Sequence, residues 1–100
     1  MVQSQPPYMV ALQKNDPKLG ELLTTSRELI ITDGALSAKV KTLMMMLCDA
    51  LLGHEGGVGV IADRARGMGA SEEEIAETVR VAFLMGGLPA LVTGCNAFKD

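Results

Sequence analysis

Tryptophan is missing from this sequence, tyrosine and histidine occur once each and phenylalanine twice, so aromatic residues make up 3% of the 100 positions. A sandwich or barrel fills its interior with β-branched and aromatic side chains. Here Leu, Met, Val, Ile and Ala have to do so, which suits helix packed on helix. Cysteine is equally scarce: Cys48 and Cys95 match no CxxC or zinc-ligand spacing, are too few to hold a metal, and are expected to be reduced. Nine basic residues stand against twelve acidic ones, a net charge of −3, and they are scattered. A surface that displaces counterions from phosphates needs them clustered, so no nucleic-acid partner is expected. No N-terminal stretch joins a charged start, an apolar middle and a small-residue cleavage site, and a cytoplasmic protein follows as the expectation. Long apolar runs are missing too. Residues 43–52 contain Asp49, residues 81–92 are cut by Gly86, Gly87 and Pro89, and both fall short of the roughly 18–20 residues that cross a bilayer. They are expected as buried helices rather than membrane spans.

What is abundant is apolar surface. The 48 hydrophobic residues without Tyr8, together with the 11 glycines, give 58, above the roughly 45–50 per hundred of an ordinary soluble domain. A chain of this length makes one domain, 1–100, and buries roughly 65% of what its unfolded form exposes. The excess is expected to meet further copies of the same chain.

The pattern along the chain is helical throughout. Residues 1–7, ending in Pro6 and Pro7, are expected as a loose arm before a short helix from about Tyr8 to Lys14. Asp16 followed by Pro17 makes a helix start, because the carboxylate caps free N–H groups and proline tolerates the first turn. The second helix runs to about Ile31, with Leu19, Leu22, Leu23, Leu29 and Ile30 at helical spacing. Asp33-Gly34 stops it, with Gly34 suited to a left-handed conformation. Ser37 caps a third helix to about Leu52 that is apolar almost all round, and such a helix sits inside something. Gly53 closes it. A fourth helix spans about Glu55 to Arg66 with a stripe of Val58, Ile61, Ala62 and Ala65, ended by Gly67 and Gly69. Ser71 and Glu74 form a capping box for a fifth helix to about Met85, with the Glu72 to Glu74 run at the positive end of its dipole. Gly86 and Gly87 break it, and Pro89 starts a last helix ending near Phe98.

The stretches "DGALSAKVKTL" and "GASEEEIAETVRVAFLMGGLPALVTG", separated by an apolar helix, a glycine-rich break and a short helix, resemble the carboxymuconolactone decarboxylase family, which includes the alkylhydroperoxidase AhpD-like proteins. The resemblance covers roughly Leu29 to Phe98. It implies an all-α, AhpD-like bundle of about five to six helices that assembles as a trimer, hexamer or related ring. In the redox-active branch a glutamate precedes Cys-x-x-Cys-x-x-x-His, whose spacing returns two thiols and an imidazole to one helix face. Aligned through Gly69-Ala70-Ser71, those four positions here hold Thr42, His54, Gly57 and Ile61. None matches, so the family roles do not transfer and dithiol peroxide reduction is not expected; the resemblance also implies a histidine for the decarboxylase branch at the place of Ile61, and that histidine is missing too.

The remaining candidates are few. Cys48 and His54 are six apart, about 240° of helical rotation, and face different ways. Cys48 is expected to be a small buried hydrophobe, since a reactive thiol needs an electropositive, partly exposed site. His54, beside Glu55, stands where the family has its first cysteine. Histidine is the side-chain type whose charge ordinarily changes near neutral pH, so it qualifies as an acid or base; capping the end of helix three is its plainer role. Asp49, a lone carboxylate on an apolar helix, needs a partner, with Arg64, Arg66 or a backbone cap as candidates. "GGVGV" lacks the strand and spacing of a phosphate loop and suits close helix packing. Met44, Met45 and Met46 read as core filler, and Cys95 as a thiol with no activating neighbour in sequence. Two functions are carried forward. One is a family protein of unassigned activity that binds a small molecule in an inter-helix pocket, without a cofactor or metal. The other is an enzyme, either a peroxiredoxin-like single-thiol catalyst at Cys48 or Cys95, or an acid–base catalyst of lactone or decarboxylation chemistry using His54, Glu55 and Asp49.

Overall fold

The computed structural model describes residues 6–99, and among these every regular element is helical. The chain divides into two units, Met1–Thr32 and Asp33–Asp100. Most of the loose arm expected over residues 1–7 lies outside the described residues, and Pro7 already belongs to the first helix.

The first unit is a helical hairpin of α1 (Pro7–Asn15) and α2 (Pro17–Ile31). Asp16 is the hinge between them. Its N–H donates to the Leu12 carbonyl at 2.7 Å, closing α1, while its carboxylate accepts from the Leu19 N–H at 3.1 Å, opening α2 with Pro17 in the first turn. Gly20 faces α1, where a β-carbon would make an ordinary contact, 3.5 Å, with Leu12 Cβ. Arg27 donates to the Tyr8 hydroxyl at 2.9 Å. Gly20 is the one buried residue of the two helices.

In the second unit α3 (Ala38–Leu52) packs against both α4 (Glu55–Gly67) and α5 (Glu72–Gly94), and a 3₁₀ turn (Cys95–Ala97) closes the chain against α4. The caps follow the sequence. Ser37 accepts from the Val40 N–H, Gly53 takes a left-handed φ of 78°, Gly69 has φ 95°, and Ser71 and Glu74 bond reciprocally at 3.0 and 2.9 Å. Gly34 is not left-handed, contrary to expectation; instead Asp33 accepts from the Ala38 N–H, so the turn is held by its carboxylate. The interior is built from Met46, Val58, Ile61, Ile75 and Val79 with seven alanines. Small residues at these contacts let helix axes come close without large side chains to interdigitate.

Two further expectations need correction. Helix α3 buries only Thr42, Met46 and Ala50, spaced by four, so it has an open flank carrying Met44, Cys48, Leu51 and Leu52. Of the three methionines, Met46 is core, Met45 packs at its edge and Met44 is exposed. Residues 81–92, expected as a buried helix, bury only Ala82 and Ala90, and they belong to a helical stretch, 72–97, long and apolar enough, by composition, to cross a bilayer. It is not a straight rod. At Gly87 the backbone turns to φ 75°, ψ −162°, and a β-carbon on Gly94 would stand 3.2 Å from Val79 Cγ1. Along an unbroken helix those residues would lie about 22 Å apart. The halves before and after Gly87 therefore fold back on each other, as the glycine pair and Pro89 implied.

Candidate functional site

The end of α3 and the start of α4 are joined by a two-residue corner whose geometry follows from Gly53. With Gly53 left-handed, its N–H turns back to the Ala50 carbonyl at 3.4 Å and the His54 N–H to the Asp49 carbonyl at 2.9 Å. This is the Schellman pattern, which places the second residue after a helix over the residue five positions before it. Asp49 and His54 are thereby stacked, and their side chains meet: His54 Nδ1 lies 3.0 Å from Asp49 Oδ1. The His54 side chain is 58% exposed and that of Asp49 24%.

The other carboxylate oxygen of Asp49 reaches over the first turn of α4. A β-carbon built on Gly57 would stand 2.5 Å from Oδ2 and 2.9 Å from Cγ. Glycine is what allows the carboxylate this close to the helix, where the positive end of the α4 dipole favours a negative charge. With the carboxylate ionised, Nδ1 carries the proton of the neutral ring and Nε2 is left as the acceptor. An oriented imidazole with one nitrogen held and the other open is an arrangement for moving a proton.

The partner expected for Asp49 among Arg64, Arg66 or a backbone cap is thus replaced by His54. Arg66 is engaged elsewhere: Nε and Nη2 grip Glu72 at 2.7 and 2.8 Å, Nη1 meets Asp63 at 2.9 Å, and Nη2 also donates to the Ala97 carbonyl at 2.7 Å. The Glu72 carboxylate raises the Arg66 pKa, and Arg66 in turn holds Glu72 below the usual carboxylate range. Asp63 is lowered by Lys99, 3.1 Å away, and by Arg66. Glu74 is lowered by the Ser71 backbone N–H and by Lys39, at 2.9 Å.

Glu55 sits apart from the pair. With Gly59, Asp63, Arg66, Asn96 and Phe98 it lines an open groove of about 530 Å³ between α4 and the C-terminal turn, whose lining does not include His54, Asp49 or Cys48. Cys48 is free and exposed on the open flank of α3, not buried as expected, because it lies half a turn from Met46 and Ala50. Cys95 is likewise free and exposed. Of the four positions that would carry the dithiol motif, one is His54 and the other three are structural. Thr42, 1% exposed, donates to the Ala38 carbonyl at 2.8 Å and contacts Met68 Sδ at 3.3 Å; Ile61 is core; the space beside Gly57 is taken by Asp49. The pair that sequence reasoning missed had a signal: a glycine at the end of a helix with an acid four residues before it and a histidine just after.

Comparison with known proteins agrees with this architecture. The chain is 26% identical over 89 residues to an uncharacterized protein of Methanocaldococcus jannaschii, covering 89% of this chain and 83% of that one. It superposes with a TM-score of 0.84 on the apo form of a carboxymuconolactone decarboxylase family protein from Legionella pneumophila, at 28% identity over 90% of this chain and 80% of the other. A protein of Burkholderia xenovorans provisionally named carboxymuconolactone decarboxylase superposes with a TM-score of 0.85 at 25% identity, over 94% and 74% of the two chains. The sequence profile of the carboxymuconolactone decarboxylase family matches residues 17–100, and the chain belongs to that family.

Proposed function

We propose that this chain is a homo-oligomeric member of the family that works without dithiol peroxide reduction and binds a small molecule at the α3–α4 corner, where His54, oriented by Asp49, transfers a proton. The observation that carries the reading is the 3.0 Å pairing of His54 Nδ1 with Asp49 Oδ1, which leaves the exposed ring its second nitrogen for chemistry. Positioned general acid–base groups contribute about 10²- to 10⁴-fold to rates. The family's name supplies the first substrate to try, a carboxymuconolactone, whose decarboxylation needs a proton delivered to carbon as carbon dioxide leaves. The apolar side chains left open at the α5 bend, such as Leu84 at 79% exposure, support assembly into a trimer or hexamer.

The test is a paired assay on purified protein. Thiol-linked reduction of an organic hydroperoxide is expected at background for the wild type and Cys48→Ser alike. Lactone decarboxylation is expected in the wild type and reduced about 100-fold or more in His54→Gln, with a smaller loss in Asp49→Asn. Hydroperoxide turnover that disappears in Cys48→Ser overturns the reading, as does a wild type inactive on the lactone or a His54→Gln variant that keeps its rate.

A further inference from the structure

Two apolar surfaces remain open in the single chain, and each belongs to an element that needs a cover. The first is on α2, where Leu22 and Leu29 share one face, with Leu19 and Ile30 beside them; Leu29 is 80% exposed. Helices of 9 and 15 residues, here α1 and α2, are at or below the length at which an isolated helix persists in water. With only Gly20 buried, the hairpin supplies almost none of its own core. The second surface surrounds the Gly87 bend. Leu84, Met85 and Leu88 are exposed there, and Leu51 joins them, because a β-carbon on Gly86 would stand 2.7 Å from Leu51 Cδ2; Leu52 follows at the end of α3.

We infer that these surfaces cover each other between copies: the α1–α2 hairpin of one chain docks its Leu22–Leu29 face on the Gly87 bend of a second chain, which returns its own hairpin. The inference rests on the homo-oligomer proposed above and assigns its contact. Area supports it. From their fractional exposures the nine side chains offer roughly 1,000 Å² per copy, so a two-fold exchange would bury about 2,000 Å², the upper end of a standard interface and far above the patch of a few hundred Å² that a monomer exposes. Reciprocal exchange of one element is also a low-cost route to a closed dimer, on which larger rings can be built. A lipid surface fits less well. Helix α5 carries three acids in its first turn and one basic residue, Arg80, whereas helices that lie on anionic membranes are rimmed with Lys and Arg.

The experiment uses the full chain with Cys48→Ser and Cys95→Ser to remove native thiols. One preparation carries Leu29→Cys and another Leu88→Cys; they are mixed, equilibrated and treated with a short bismaleimide. A crosslinked pair containing one chain of each kind is expected. No crosslink between the two kinds of chain in the mixture overturns the inference. In a second arm, Leu22→Glu/Leu29→Glu and Leu84→Glu/Leu88→Glu are compared by sedimentation. Each is expected to raise the dissociation constant about 30-fold or more, the effect of losing one hot-spot residue. If only the bend variant dissociates, the exchanged hairpin is wrong while the oligomer stands; if the wild type is a monomer, both fall. A monomer that co-sediments with phosphatidylcholine–phosphatidylglycerol vesicles assigns the apolar surfaces to lipid instead.

Discussion

A methyl group added at Gly57 enters space held by the Asp49 carboxylate, so Gly57→Ala has to displace either that carboxylate or the first turn of α4. We expect it to destabilise by about 1–3 kcal/mol in urea unfolding, as overpacked sites do. Gly56 provides the contrast: nothing lies within 4 Å of a β-carbon there and its φ is not left-handed, so Gly56→Ala is expected to be neutral or stabilising by up to about 1 kcal/mol. The same displacement bears on the site. In the wild type the neutral His54 ring is expected to be protonated at Nδ1, read from imidazole ¹⁵N shifts at mildly alkaline pH, and in Asp49→Asn or Gly57→Ala that preference should relax towards the Nε2–H form favoured by free histidine. An unchanged spectrum would show that the 3.0 Å pairing does not orient the ring. His54 itself was legible as a candidate, being the lone histidine beside a helix break. Its partner was not, because a corner residue's neighbour depends on the left-handed turn at Gly53, which rotates His54 back over Asp49 instead of onward along a helix.

At the scale of elements, the start of α5 depends on its capping box, and Ser71→Ala is expected to cost about 1 kcal/mol. Arg66 has the wider reach, since one guanidinium joins α4 to Glu72 of α5 and to the Ala97 carbonyl, with its side chain 18% exposed. Lysine has no planar fork to replace this, and Arg66→Lys is expected to lower the melting temperature although the charge is kept. The pH dependence has a definite sign. Asp63, Glu72 and Glu74 all have folded-state pKa values below their ordinary range. Their contribution is therefore complete above the unfolded carboxylate values and is lost as pH falls through the folded ones. Melting temperature should fall below about pH 4, with a shallower fall in Arg66→Met, where Glu72 and Asp63 have lost a partner. These exposed pairs contribute modestly each, and the measurement is the change of slope.

For the whole molecule, the proposed assembly predicts mass action: the melting temperature is expected to rise with protein concentration, and to stop doing so in Leu84→Glu/Leu88→Glu. The helix count, the caps at Asp16, Ser37, Gly53 and Ser71, and the stripe of Val58, Ile61, Ala62 and Ala65 were all readable in advance, because each rests on interactions within a few residues of chain. The all-round apolar pattern of α3 was readable too, and misled. Composition records how much apolar surface exists but not which part of it the same chain covers, so Cys48 looked like core when it stands on an open flank.

The residues alone decided that this is an all-helical member of its family and that the dithiol motif is missing, since periodicity, capping and motif spacing are local properties of the chain. Only the folded structure decided that Asp49 takes His54, that Gly57 is kept small by a carboxylate from another helix, and that α5 doubles back at Gly87. Those are contacts across a turn or between helices, and their geometry exists only once the backbone has chosen its path in space.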